Sequence, residues 1–249
     1  MRLFRRRIDI VSQTTASGGV ARAVLEDDFH HFRVALSYRD GSVTQADGWA
    51  LRNPYTACPA ASGQLAALVG MALDSVANCV TRATDARLQC THMLDLAGLA
   101  IAAAARGIGS RRYDIAVPRR VDEHTLGRLE RDGRPLLEWQ VDGDCIIAPA
   151  SYAGINLRAG MARWALTTLA EDEAEAALVL RRCVNISRGR EHDLDLQPTA
   201  RASGNCYAQQ PQRAAQALRI VGSTLDFSER AAALCAGDRE WLAFSEDRP

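Results

Sequence analysis

The sequence predicts an α+β fold in which antiparallel β-hairpins pack against helices. Three observations carry this: two Asp-Gly turns flanked by period-two apolar patterns, an alanine-rich apolar run closed by glycine, and two helical patterns after the second hairpin. With 249 residues, 47% of them apolar, the chain has material for one large core or two smaller ones.

Residues 1–20 join an arginine cluster to Thr14-Thr15-Ala16-Ser17-Gly18-Gly19 and are expected as a flexible leader. From Ala21 to Tyr38 the apolar residues run or alternate, with Phe32, Val34, Leu36 and Tyr38 on one face, which predicts a strand. Asp40-Gly41 turns the chain, since both residues tolerate positive φ, and Val43 to Leu51 returns as a second strand. Asn53-Pro54 ends it. Pro59 to Val69 follows as an expected helix. Cys90 to Arg106 is apolar nearly all round and is closed by Gly107, the signature of a buried helix.

The hairpin pattern then repeats. Thr125–Glu130 and Pro135–Val141 flank Arg131-Asp132-Gly133, and Asp142-Gly143-Asp144 leads into Cys145–Pro149. Leu157–Leu169 and Glu171–Cys183 are expected helices, the second with acids at its start and Arg181-Arg182 at its end, as the helix dipole prefers. The polar stretch 193–213 is expected as a long covering loop before a helix from Gln212 to Val221. The core therefore spans 21–192, divisible into two related halves at 21–110 and 111–192. Residues 193–249 supply the covering loop and C-terminal helices.

Thirty basic and thirty acidic residues cancel, so no net field draws the chain to nucleic acid or an anionic membrane. Every basic residue is arginine. Without a side-chain amine, pyridoxal phosphate chemistry, Schiff-base aldol chemistry and the usual phosphate-loop nucleotide site are not expected. No run of about 18 apolar residues spans a membrane, and the N-terminus lacks a signal-peptide pattern, so a cytoplasmic location is expected. Seven cysteines, an odd number without regular spacing, read as reduced thiols, core fillers or metal ligands.

Three clusters carry chemistry. In Glu26-Asp27-Asp28-Phe29-His30-His31-Phe32, strand alternation puts Asp28 and His30 on the buried face of Phe32. A buried carboxylate and imidazole need partners, which a metal ion or hydrogen bonds across a sheet would supply. Cys58, before Pro59, opens a helix where the dipole favours thiolate, although a small residue filling a gap fits equally well. Cys90 and His92 open the long helix, with Asp95 one turn on to orient the His92 ring or cap the helix. Asp28, His30, Cys58, Cys90 and His92 thus form a mixed donor set suited to one divalent zinc or iron ion. His31, Asp95 and Tyr207 are the candidates for proton transfer, and Arg112 and Arg188 for a substrate carboxylate.

The strings Leu25–Phe32, Thr56-Ala57-Cys58-Pro59, Cys90–Ala97 and Gly204-Asn205-Cys206-Tyr207 resemble a bacterial family catalogued as domain of unknown function 2889. The resemblance covers most of the chain. It brings no general activity, but implies a setting among genes for breakdown of aromatic or steroid-like compounds. The order of elements from Asp28 to Ala105 is also similar to iron–sulfur scaffold proteins of the NifU type. Aligned on Asp40-Gly41, that resemblance implies ligand positions at Asp28, His30, Cys58 and Cys90, with His92 displaced by one place. Exchanging thiolates for Asp28 and His30 hardens the set and suits a single ion better than a sulfide cluster.

The expected function is a metal-dependent enzyme, a lyase of retro-aldol or deformylating type or a hydrolase, acting on a small aromatic or alicyclic catabolite. A non-catalytic metal or iron–sulfur carrier is the alternative, and a small-molecule binding protein with a structural zinc site a third. The expected partner is a small molecule, with a homodimer allowed and neither nucleic acid nor membrane involved.

Overall fold

The computed structural model describes residues 3–245. A strand stands where the leader is expected. β1 (Leu3–Thr15) buries Phe4, Arg6, Ile8 and Ile10 at every second position. The three consecutive arginines hide this period in the sequence. Arg6 lies in the buried series with its whole side chain inside, the guanidinium 5.7 Å from the Phe4 ring centroid.

The single strand expected from Ala21 to Tyr38 is two strands. β2 (Gly18–Asp27) and β3 (His31–Arg39) pair antiparallel from Gly18 opposite Arg39 to Glu26 opposite His31. Asp27 makes the break. Its carboxylate accepts the backbone N–H groups of Phe29 and His30, both at 2.7 Å, closing a tight Asx turn over Asp28-Phe29-His30. β4 (Ser42–Arg52) returns along β3 through the expected turn, where Asp40 and Gly41 have φ of 50° and 75°.

The helix expected at Pro59–Val69 is a 3-10 helix over Pro59–Leu68, with short 3-10 turns at Ala77–Arg82 and Ala86–Leu88. α1 (Thr91–Ala105) is the buried helix the alanine run predicts, packed against β2 and β3. Gly98 lets it approach closely. A Cβ there would sit 2.1 Å from the Ala77 carbonyl oxygen.

The chain divides into two compact units. One holds residues 8–111, 195–225 and those from Cys235 on, with strand order β4-β3-β2-β1. Its late segments include α4 (Pro211–Ala214) and α5 (Arg239–Leu242). The helix expected from Gln212 to Val221 is cut to α4, because the residues after it pair as extended chain. Leu218 bridges Thr199, Arg219 bridges Tyr55, and the Arg219 guanidinium is held by Asp195, the Pro54 carbonyl and Thr224. These long-range partners outweigh local helix propensity.

The other unit holds residues up to Arg7, 112–194 and 226–234. Its strands β5 (Ser110–Pro118), β6 (His124–Arg131), β7 (Arg134–Asp142) and β8 (Cys145–Ala148) run as an antiparallel meander. α2 (Met161–Thr168) and α3 (Glu171–Ile186) follow, and α3 packs on β6 and β7. The second Asp-Gly turn is also as expected, with Asp132 and Gly133 at φ of 52° and 75°.

Candidate metal centre

The Asx turn after β2 and the first turn of α1 bring three donors together. One ligand atom each from Asp27, His30 and His92 lies within 4.8 Å of the others. All three residues are buried, at 0%, 9% and 7% exposure. His30 Nδ1 lies 3.1 Å from Asp27 Oδ1 and 3.3 Å from Oδ2. The carboxylate therefore holds both the backbone and the ring of His30. The His30 and His92 rings stack with centroids 4.0 Å apart, tilted by 32°. Phe32 flanks both, at 5.5 Å from His30 and 5.9 Å from His92. Two imidazoles and a carboxylate beside an aromatic wall form a donor set for zinc or ferrous iron.

The carboxylate in this group belongs to Asp27, where the strand-alternation reading chose Asp28. The turn explains the change, since the alternation of β2 ends at Asp27 and does not continue through Asp28 to His30. Asp28 is buried, and its backbone carbonyl accepts the Leu225 amide at 2.7 Å and the Arg52 guanidinium at 3.1 Å. An Asp three residues before a His was the available signal for the turn.

Cys58 and Cys90 take their expected places, each the residue before a helix, and both are buried. They do not become the thiolates expected from the dipole. Burial pushes the Cys58 thiol far above its ordinary value, and Cys90 and Cys206 beside it add to the rise. Burial likewise pushes Cys90 up to about 12, against the pull of the backbone amides of Met93 and His92. Desolvation wins over the helix start at both thiols. Cys206, a partner the spacing did not reveal, sits half-buried on the apolar cluster that contains Cys58.

The proton-transfer candidates scatter. His31 lies on the face of β3 opposite Phe32, with Nε2 2.9 Å from Asp238 and Nδ1 3.6 Å from Glu26. Asp238 also accepts from Arg33 Nε at 2.6 Å, so His31 belongs to a buried ion-pair network, not to the His30–His92 group. Asp95 is half-buried on the next turn of α1 and adds negative charge near Cys90. Tyr207 is half-buried with the Arg213 guanidinium 4.0 Å over its ring, and its amide donates to the Gln89 carbonyl. Arg112 and Arg188 fall in the other unit. Arg112 is exposed, and the Arg188 guanidinium is already engaged by Glu123, Asp144 and the Gly143 carbonyl.

The segment 193–213 reaches the cysteine-bearing region of its unit from residue 195 on. Gln210 donates to the Arg87 carbonyl at 2.6 Å, and Ala200, Ala208 and Ala214 pack in the Cys58 cluster.

Residues 9–106 match a family model described as "Protein of unknown function (DUF2889)". Over these residues the chain is similar to that family. No curated protein matches the chain. The DUF2889 segment contains Asp27, His30, Cys58, Cys90 and His92, whereas Cys206 and Tyr207 lie beyond it. Among the described residues no helix is long and apolar enough to cross a membrane.

Proposed function

We propose that this protein is a metal-dependent enzyme, a lyase or hydrolase, with one divalent zinc or iron ion held by Asp27, His30 and His92. The observation that supports it is the mutual approach within 4.8 Å of three buried donor atoms of the types such ions take. Three protein donors leave coordination positions for water and substrate. The ion would polarise a substrate carbonyl or lower the pKa of bound water. The chain has no lysine, so a retro-aldol cleavage needs such a Lewis acid. A small aromatic or alicyclic catabolite suits the Phe29 and Phe32 rings beside His30.

In this reading Asp27 fixes the ring of His30 before any ion arrives. His31, Asp95 and Tyr207 become the residues to test for proton transfer once a substrate is found. Arg112 and Arg188 are not needed for the metal chemistry.

The test is metal analysis of protein loaded with zinc or with iron under reducing conditions. Wild type is expected to bind an ion whose occupancy falls in His30→Ala and His92→Ala and is unchanged in Cys79→Ala. Asp27→Asn keeps an acceptor for the turn but weakens the ligand, so affinity should drop roughly 10–100-fold. Undiminished occupancy in both histidine variants would sink the reading. Iron bound with acid-labile sulfide would favour the carrier instead.

A further inference from the structure

The regular pairing of β2 with β3 stops at Glu26 opposite His31, so the turn that carries Asp27 and His30 must find partners for its carbonyl oxygens elsewhere. One side chain takes three of them. Arg52, the last residue of β4, donates from Nη2 to the Asp27 carbonyl at 2.5 Å and the His30 carbonyl at 3.3 Å, and from Nη1 to the Asp28 carbonyl at 3.1 Å. The same guanidinium reaches the Ser223 carbonyl at 3.0 Å and the Glu26 carboxylate at 3.3 Å, which offsets its charge. Its side chain is 16% exposed. The Leu225 amide also donates to the Asp28 carbonyl, so residues 223–225 close on the same turn.

We propose that Arg52 is the positioning residue of the candidate metal centre: its guanidinium fixes the Asp27–His30 turn by its carbonyls, so that the carboxylate and the imidazole are placed before the ion arrives. The inference rests on the metal reading above. Asp27 itself holds only the amide side of the turn, at Phe29 and His30. Buried carbonyls left without a donor would turn toward other partners, and the peptide planes that aim Asp27 and His30 would rotate with them. A planar fork of N–H donors can span several acceptors at fixed spacing, whereas a lysine ammonium carries its three donors on one atom. Arg52→Lys therefore keeps the charge beside Glu26 but cannot hold all three turn carbonyls together. Arg52 does not ligate the ion; it acts through Asp27 and His30. Ser223 and Leu225 lie beyond residues 9–106, so the placement of these two donors depends on a segment outside the family match.

Two measurements on the full-length protein separate this role from the metal reading. The first is amide hydrogen exchange of metal-free wild type and Arg52→Lys, with the α1 amides as the gauge of global stability. Exchange at Phe29 and His30 is expected to be roughly tenfold faster in the variant, the loss of a charge-assisted hydrogen bond, and unchanged in α1. The second is a cobalt(II) titration read by the visible d–d bands of the ion. Affinity is expected to fall roughly 10–100-fold in Arg52→Lys. Arg82→Lys, at an exposed pair with Asp74, should bind as wild type does. Unchanged exchange at Phe29 and His30 in Arg52→Lys would overturn the proposal. Equal loss of protection in α1 would overturn it too, because Arg52 would then hold the whole fold and not the turn. Undiminished cobalt affinity in Arg52→Lys, with binding lost in His30→Ala, would overturn this role alone and leave the enzyme reading standing. A wild type that binds no cobalt would overturn both.

Discussion

Asp27 does two jobs with one carboxylate. It accepts two backbone amides that end β2, and it meets Nδ1 of His30. Removing the oxygens should therefore do more than remove a proposed ligand. Asp27→Ala is expected to destabilise metal-free protein by about 1–3 kcal/mol, through unpaired buried amides, while Asp27→Asn costs much less. Thermal unfolding of both variants checks this, and equal losses would count against the turn as the cause. The thiols give a second expectation at this scale. Burial leaves Cys90 with a pKa of about 12 and Cys58 higher still, so both stay protonated at pH 8. In metal-free protein, alkylation followed by peptide mass analysis should modify the half-buried Cys145 well before either. His30, Cys58, Cys90 and His92 were singled out because each opens or flanks a regular element, but the three-donor group holds His30 and His92 and neither cysteine. Asp27 was not, because a one-residue change at a turn moves the carboxylate to a different face. Cys206 was not, because nothing local marks a partner more than a hundred residues away.

Elements were legible where their signals are local. Both Asp-Gly turns and α1 follow from residues within a few positions of one another. β1 was missed because charge masked a period of two, and the Gln212–Val221 helix failed because Arg219 finds partners at Asp195 and Pro54. α1 offers the sharpest element-scale test. An added methyl at Gly98 meets backbone at Ala77, which cannot swing aside like a side-chain tip. Gly98→Ala is expected to cost about 1–3 kcal/mol despite alanine's better helix propensity. Gly63→Ala, where nothing lies within 4 Å, is the control. Chemical denaturation of the pair decides it, and a neutral Gly98→Ala would mean that α1 and the 77–82 turn can part freely.

At the scale of the molecule, the DUF2889 segment does not contain its whole unit. Residues 195–225 and those from Cys235 on supply partners for it: Asp238 for His31 and Arg33, the Trp241 carbonyl for Arg22, and the Glu26 carboxylate takes the Cys235 amide. A fragment of residues 8–111 is therefore expected to show poor dispersion of its amide NMR signals and no cooperative melt. A well-dispersed spectrum from that fragment would refute the dependence. Asp238 also gives a pH expectation. Burial alone would raise its carboxyl, but His31 and Arg33 outweigh burial and hold it below the usual carboxylate range. A carboxyl lowered on folding contributes stability above its unfolded pKa, near 3.9, and that contribution is lost as pH falls through the lower folded value. Acid unfolding monitored by circular dichroism should therefore be shallower over that window in Asp238→Asn.

Arg33 and Asp238 are separated by 205 residues and joined by a 2.6 Å hydrogen bond. During synthesis that distance becomes a waiting time. At about 5–20 residues per second, Arg33 is added to the chain roughly 10–40 s before its carboxylate is made. Through that interval β2 and β3 carry Arg22 without the Trp241 carbonyl, and His31 and Arg33 without the Asp238 carboxylate, that later meet them. Translation of the segment that carries Cys235, Asp238 and Trp241, and not of the family segment, sets the moment at which this unit can close.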